Sequence, residues 1–536
     1  MKKIIRKHWP LLLLLGFHLL VNLLWLILDN TPPAWDQAAH IRSAVMANQW
    51  LSGELRISFV RLIKNFYAYP PLPYFLGAIW AFFTGIGIDQ ISFLGTLFLI
   101  ISIIGLYVLV LEFWGQKRAL AAAAIFSFMP VIYDISRDFL LDLSLTGWVV
   151  WGLWFWLKSE YLKKEKWIWG WWAALVLASF TKLSGFFYFI PMGIIALFKS
   201  LKNKDKKQIL RLILGGVVWL LIVGCWWALN WGNIQHNIGL ASQGEPITDP
   251  TNILSWQTWI HYFRLFIQHQ LQPIPGLIFI VLLFSWLGRW GQENFKKVGK
   301  YLTVWLGALY FLFTLIHNKD FRYIMPLLSV AAIIMAVEIF RMKKELQTMV
   351  AWMLIIFWGV IFINNSFAWP ISQRTVFASK TFVLGDLEWL GLDDYPVRPA
   401  RPASWPNQEI VKKIYQISIA KGRQSCLMVV NWAQINDNNF RLQRDLLSSK
   451  GERLLDFHST APGQEFGSDQ EIENYISGYT LAIVPEQGVE PAPFYGFNLQ
   501  SLRQARDWLW NHPEKWKKEA EYLLPNKQKI YLFSRF

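Results

Sequence analysis

Over its first 368 residues the chain alternates apolar blocks with short polar turns. Runs apolar enough to enter a bilayer lie at about 10–28, 92–111, 119–135, 142–157, 167–181, 184–198, 210–229, 273–288, 301–316, 323–340 and 346–367. Most approach the ~20 residues that carry a helix across ~30 Å of hydrocarbon. The pattern therefore predicts an all-α polytopic membrane domain over 1–368 with about eleven spans. A further run, 72–88, is short, begins at Pro70, Pro71 and Pro73 and closes at Gly85 and Gly87. Prolines withhold backbone donors and break helices, so this segment is expected to dip in and return or to lie along the surface, within a first external loop of about 30–91. Beyond 368 the period changes. A Pro-rich stretch (YPVRPARPASWP), β-like runs at Cys426–Val430, Leu481–Val484 and Ile530–Phe533, and a polar helical pattern at Asn438–Ser449 predict a small C-terminal α/β domain over 369–536.

Charge turns these blocks into a topology. If 72–88 does not cross, nineteen Lys and Arg, between Lys117 and Lys344, fall on the side of Lys2, Lys3, Arg6 and Lys7, while the opposite short loops hold only Arg137, Lys182, Arg264, Lys319 and Arg322. The positive-inside tendency then sets the N-terminus in the cytoplasm and residues 369–536 outside, in a multi-pass protein of the cell's inner (plasma) membrane. The apolar run after MKKIIRKHW shows no A-x-A-like cleavage site and is read as an uncleaved first helix. A formal charge of +16 would suit nucleic-acid binding, but the tail is nearly balanced and the surplus sits in the loops between spans, so no nucleic acid is expected. With 54% hydrophobic and only 16% charged residues, a simple soluble enzyme is excluded. Cys225 and Cys426 form neither a disulfide framework nor a metal cluster, and P-loop, H-E-x-x-H and G-x-S-x-G patterns are missing.

On the predicted outer face the unusual polar residues converge. In PPAWDQAAHIRSA, Asp36 and His40 lie four apart, on one side of a short helix. Asp36 suits a carboxylate that takes a proton from an attacking hydroxyl; a first-turn acid favoured by the helix dipole is the structural alternative. His40 is open between an orienting partner, a phosphate contact and a loop histidine. FYAYPPLPYF offers Tyr67, Tyr69 and Tyr74 as boundary rings or ligands. SRDFLLDLSLTGW brings Arg137, Asp138 and Asp142 to the ends of two spans, with Asp142 alternatively a helix cap. Lys182 in FTKLSG, with Lys319, Arg322 and Tyr323 in HNKDFRYIMP, sets cations directly against apolar spans, where charge is expensive and commonly functional. Together they suggest an anion site, a phosphate at the membrane surface being the natural ligand.

These motifs, WDQAAH, YPPLPY, SRDFLLD, FTKLSG and FRYIMP, occur in an order that resembles the GT-C glycosyltransferases over residues 10 to about 340. The similar branch holds dolichyl-phosphate-mannose protein mannosyltransferases, bacterial aminoarabinose transferases and related lipopolysaccharide-sugar transferases. The resemblance implies a polyprenyl-phosphate-linked sugar donor, a glycan, lipid or protein acceptor, and transfer with inversion by a hexosyl- or pentosyltransferase on the extracytoplasmic side, Asp36 being catalytic. His40, Tyr69, Arg137, Asp138, Asp142, Lys182, Lys319, Arg322 and Tyr323 are the candidate substrate contacts. Relatives often carry Asp-Glu where this chain has Asp36-Gln37, and histidine where it has Tyr69; a divalent metal is the one cofactor left open. The competing class is a transporter or flippase for lipid-linked or anionic substrates, which would show a polar path through the spans.

Overall fold

The structure is a computed structural model that describes residues 2–66, 69–243, 250, 252–296, 298–369, 377–379, 382–384, 399–422, 424–447, 455–459, 465–488 and 500–536. Tyr67 and the beginning of the Pro-rich stretch lie outside the described residues. The chain is a multi-pass membrane protein. Each apolar run carries helix, and among the described residues five helices are long and apolar enough to cross a bilayer: Lys7–Leu28, Ile88–Trp114, Leu183–Lys202, Lys206–Gly239 and Lys344–Phe367. Three runs are less regular than their hydropathy predicts. The 119–135 run breaks at Pro130 into Gln116–Ser127 and Pro130–Ile135, 184–198 opens as a 3-10 turn, Leu183–Phe189, and 323–340 becomes a 3-10 turn, Phe321–Ile324, before the helix Leu327–Ile339. Proline lacks the N–H an uninterrupted helix needs and starts a new one readily.

The Leu72–Thr84 helix has 13 residues and ends at Gly85, whose φ of +88° is available to glycine at little cost. At 1.5 Å per residue it spans about 20 Å, short of the hydrocarbon thickness. It packs instead against the helix Trp35–Leu51. At the centre of the bundle, every residue of Leu327–Ile339 is buried. A close backbone approach brings the 136–138 turn onto Ile88–Trp114: a Cβ on Gly95 would sit 2.4 Å from the Asp138 carbonyl.

The C-terminal segment forms a five-stranded sheet of β3 (Gln424–Met428), β4 (Leu455–Ser459), β5 (Leu481–Pro485), β6 (Trp516–Leu523) and β7 (Lys529–Arg535), following a hairpin of β1 (Phe377–Ser379) and β2 (Phe382–Leu384). The order is β4-β3-β5-β7-β6, with β3 parallel to β4 and β5, and β7 antiparallel to both of its neighbours. Alternation gives the sheet two apolar faces. Cys426, Met428, Leu481 and Ile483 pack with Ile410, Ile414 and Phe440 on one side, while Leu427, Val429, Ala482 and Val484 pack with Ile476, Trp508 and Leu509 on the other. The helix Asp437–Leu447 then lies against Trp35–Leu51, tying the sheet to the bundle.

Candidate active site

Asp36 stands in the first turn of Trp35–Leu51, where a carboxylate complements the helix dipole. Its helix begins without a side-chain cap from Ala34. Gln37 serves instead: its Oε1 accepts from the Ala34 N–H at 2.9 Å, and its Nε2 donates to Asp138 Oδ2 at 2.6 Å. The helix is otherwise largely buried, from Gln37 and Ala38 to Asn48. Asp36 differs, its side chain being 44% exposed.

Two ion pairs adjoin it. Arg322 Nη2 lies 3.3 Å from Asp36 Oδ2, and its Nε donates to Asp320 Oδ2 at 2.7 Å. Asp320 also accepts the Arg322 backbone N–H at 2.8 Å, so the turn holds its own arginine in place. Burial works to raise the Asp320 carboxyl, but the Arg322 guanidinium outweighs it and holds the group below the usual carboxylate range. Lys182 Nζ lies 2.6 Å from Asp142 Oδ1 and sits over the Tyr323 ring, 4.9 Å from its centroid. The capping alternative for Asp142 is not observed: Leu140 occupies the N-cap, and the Asp142 carboxylate is paired with Lys182. Lys182 is presented by a tight turn in which a Cβ on Gly185 would meet the Ala178 carbonyl at 2.1 Å, an approach only glycine allows.

His40 links these pairs to the proline segment. Its Nδ1 is 2.9 Å from the Tyr74 hydroxyl, and its ring meets Tyr69 edge-on with centroids 4.8 Å apart. Burial pushes His40 down to about 4, with Asp36, Arg322, Lys182 and Asp142 all close enough to act on it. The imidazole is therefore neutral at pH 7. The negative charge of Asp36, then burial, holds the Tyr69 hydroxyl well above the usual phenol range and keeps its proton on.

Asp36, His40, Tyr69, Asp142, Lys182, Arg322 and Tyr323 thus come together, and Asp138 joins them through Gln37. Arg137 does not, which corrects its placement with the other cations. It is 1% exposed, donates to Asn22 Oδ1 at 3.1 Å and Ser366 Oγ at 2.7 Å, pairs with Asp134 at 3.4 Å, and packs on the Trp25, Tyr133 and Phe362 rings. Its guanidinium is satisfied between the first and last long helices, where an unpaired charge would be costly. Lys319 is likewise buried, donating to the Ile316 carbonyl of its own turn. Sequence reasoning offered Tyr74 as a boundary ring or ligand but gave no site role to Gln37 or Asp320; the acid two residues before Arg322 was the available signal for Asp320. Among the described residues no group of three or more His, Cys, Asp or Glu is placed to hold a metal ion.

Residues 68–228 match the family model described as dolichyl-phosphate-mannose-protein mannosyltransferase. ArnT from Cupriavidus metallidurans bound to undecaprenyl phosphate superposes with a TM-score of 0.61 at 14% identity, covering 98% of both chains. The fold is that of the GT-C glycosyltransferases. The Archaeoglobus fulgidus oligosaccharyltransferase in complex with Zn and sulfate shares it more distantly, with a TM-score of 0.53 at 13% identity over 96% of this chain and 72% of that one. No curated protein matches the chain. Within the GT-C likeness the family-model match begins in the proline segment and runs through the Asp142 and Lys182 motifs, while Asp36 and Arg322 lie outside it.

Proposed function

We propose that the chain is a membrane glycosyltransferase that moves a sugar from a polyprenyl-phosphate donor to an acceptor hydroxyl of the cell envelope, with inversion at the anomeric carbon. The single observation that carries this reading is a half-exposed carboxylate, Asp36, 3.3 Å from Arg322 and beside the Lys182–Asp142 pair. The GT-C fold supports it. Undecaprenyl phosphate, bound by the structurally similar ArnT, is the class of lipid phosphate expected here. The extracytoplasmic face of an inner membrane is the setting, with residues 1–368 as the membrane domain and 369–536 as a separate external domain.

The charges suggest an order of events. Among the described residues Asp36 and Asp320 pair with Arg322, and Asp142 pairs with Lys182, so an arriving phosphate draws a cation away from a carboxylate. The Arg322–Asp36 contact, at 3.3 Å, is longer than Arg322–Asp320 at 2.7 Å or Lys182–Asp142 at 2.6 Å and is the one to yield. Phosphate then binds Arg322 and Lys182, which stabilise charge developing on the leaving oxygen. Asp36, released, takes the proton from the acceptor hydroxyl as its oxygen bonds to the anomeric carbon opposite the phosphate. The bond between that carbon and the phosphate oxygen breaks, and polyprenyl phosphate leaves with the bonding electrons.

Mass spectrometry of polyprenyl-linked sugars and envelope glycans after deletion of the gene tests the reading. An accumulating lipid-linked sugar together with a missing glycan substituent is the expected result, and identifies hexose or pentose and acceptor at once. Unchanged lipid-linked sugars and glycans would contradict it.

A further inference from the structure

The helix that carries Asp36 is gripped along one stripe by the C-terminal segment. Trp35 Nε1 donates to Asn431 Oδ1 at 3.0 Å, Arg42 Nε to Asp445 Oδ2 at 2.8 Å, and Gln49 Nε2 to the Asp445 carbonyl at 2.8 Å. Positions 35, 42 and 49 recur every seven residues, about two helical turns, and so share one side of the helix. Just ahead of the helix, Asn439 Nδ2 donates to the Pro33 carbonyl at 2.7 Å. Further back, the Asn30 N–H donates to the Arg401 carbonyl at 2.7 Å. The loop that leads to Asp36 and the helix that follows it are therefore both bonded to residues beyond 400.

The gripping groups are themselves fixed. Asp445 is 3% exposed, and its Oδ1 accepts from Arg444 Nε and Nη2, each at 2.8 Å. Asn439 donates its N–H to Asn436 Oδ1 at 3.1 Å, and its Oδ1 accepts from Asn407 Nδ2 at 3.3 Å. Apolar packing would dock two helices at least as stably, because a buried ion pair returns little beyond its desolvation cost. What directional bonds at 33, 35, 42 and 49 add is a defined rotation and height of the helix. A carboxylate in its first turn gains most from that, because a displacement of 1 Å can cost about 10²-fold in rate.

We infer that Asn439 and Asp445 are positioning residues for Asp36, and that the C-terminal α/β segment acts in transfer by holding the base-bearing helix in register. This rests on the proposed role of Asp36 as base. The test uses full-length protein in detergent, with two probes: the polyprenyl-linked sugar fraction extracted from cells lacking the gene, and undecaprenyl phosphate alone for binding. Asp445→Asn is expected to lower kcat by about 10²-fold while donor KM and undecaprenyl phosphate affinity stay within about two-fold. In an Asp36→Asn background the same change should lower the residual rate by less than about two-fold, since groups that act through one residue are non-additive. Should Asp445→Asn not fold, Gln49→Met keeps the Arg42–Asp445 pair and is expected to lower kcat in the same direction. A loss carried by KM, or one that multiplies undiminished in the Asp36→Asn background, would overturn the inference. Full turnover by Asp36→Asn alone would overturn the base assignment itself, a result separable because it involves no change in the C-terminal segment.

Discussion

Lys182 and Asp142 form the most enclosed ion pair of the candidate site, with side chains 13% and 3% exposed and 2.6 Å between Nζ and Oδ1. Lys182→Met removes the ammonium while keeping the apolar stem. It leaves the Asp142 carboxylate buried and unpaired, which costs about 3–5 kcal/mol of stability. Adding Asp142→Asn removes the stranded charge, so the double variant should return to within about 1 kcal/mol of the parent, as replaced buried pairs commonly do. Phosphate binding should not return with it. A charge-assisted hydrogen bond is worth about 1.5–3 kcal/mol, so both variants should bind polyprenyl phosphate about 10- to 100-fold more weakly. Thermal unfolding in detergent reads the first quantity, and titration with undecaprenyl phosphate reads the second. A double variant that recovers its melting temperature and binds the lipid phosphate as tightly as the parent would refute the assignment, reducing Lys182 to a partner for Asp142.

Protonation of His40 should cost stability at low pH. Its folded value lies near 4 and its unfolded value near 6.5, so the unfolded chain takes up a proton first as pH falls. Stability present above pH 6.5 is then lost between 6.5 and 4, by up to about 3 kcal/mol. Melting curves over this range should flatten in His40→Gln, and an equally steep loss in that variant would count against burial of His40 as the cause. For Arg137, Arg137→Met should destabilise by about 3–5 kcal/mol through loss of its buried pair with Asp134 and its bonds to Asn22 and Ser366, while the folded protein binds undecaprenyl phosphate within about two-fold of the parent. A selective loss of lipid-phosphate binding with unchanged melting would instead return Arg137 to the phosphate site.

The apolar blocks were legible because burial in lipid and protein writes long uninterrupted runs, and each of those runs carries helix. Three strands were also legible from β-branched or apolar stretches: β3, β5 and β7. The other two of the sheet were not. LDFHS in β4 is short and mixed, and WKKEAEYL in β6 is an edge strand with one well-buried residue, Trp516, its lysines discouraging further pairing at the sheet edge. At the site, Asp36 stood out because it lies four residues from His40 in the first external loop, and Lys182 and Arg322 because ionisable groups against apolar spans are costly. Arg137 stood out for the same reason, and its partners Asn22 and Ser366 lie too far away in the chain for local reading to assign them. The grip of Asn439 and Asp445 on the Asp36 helix was invisible for that reason too, since it joins positions about four hundred residues apart.

The central claim is that Asp36 accepts the acceptor's proton. The most direct measurement is single-turnover transfer by purified Asp36→Asn protein from the lipid-linked sugar, alongside its affinity for undecaprenyl phosphate. Transfer should fall by about 10²-fold or more with lipid-phosphate binding retained. Transfer at close to the parent rate by the same well-folded variant would contradict the account.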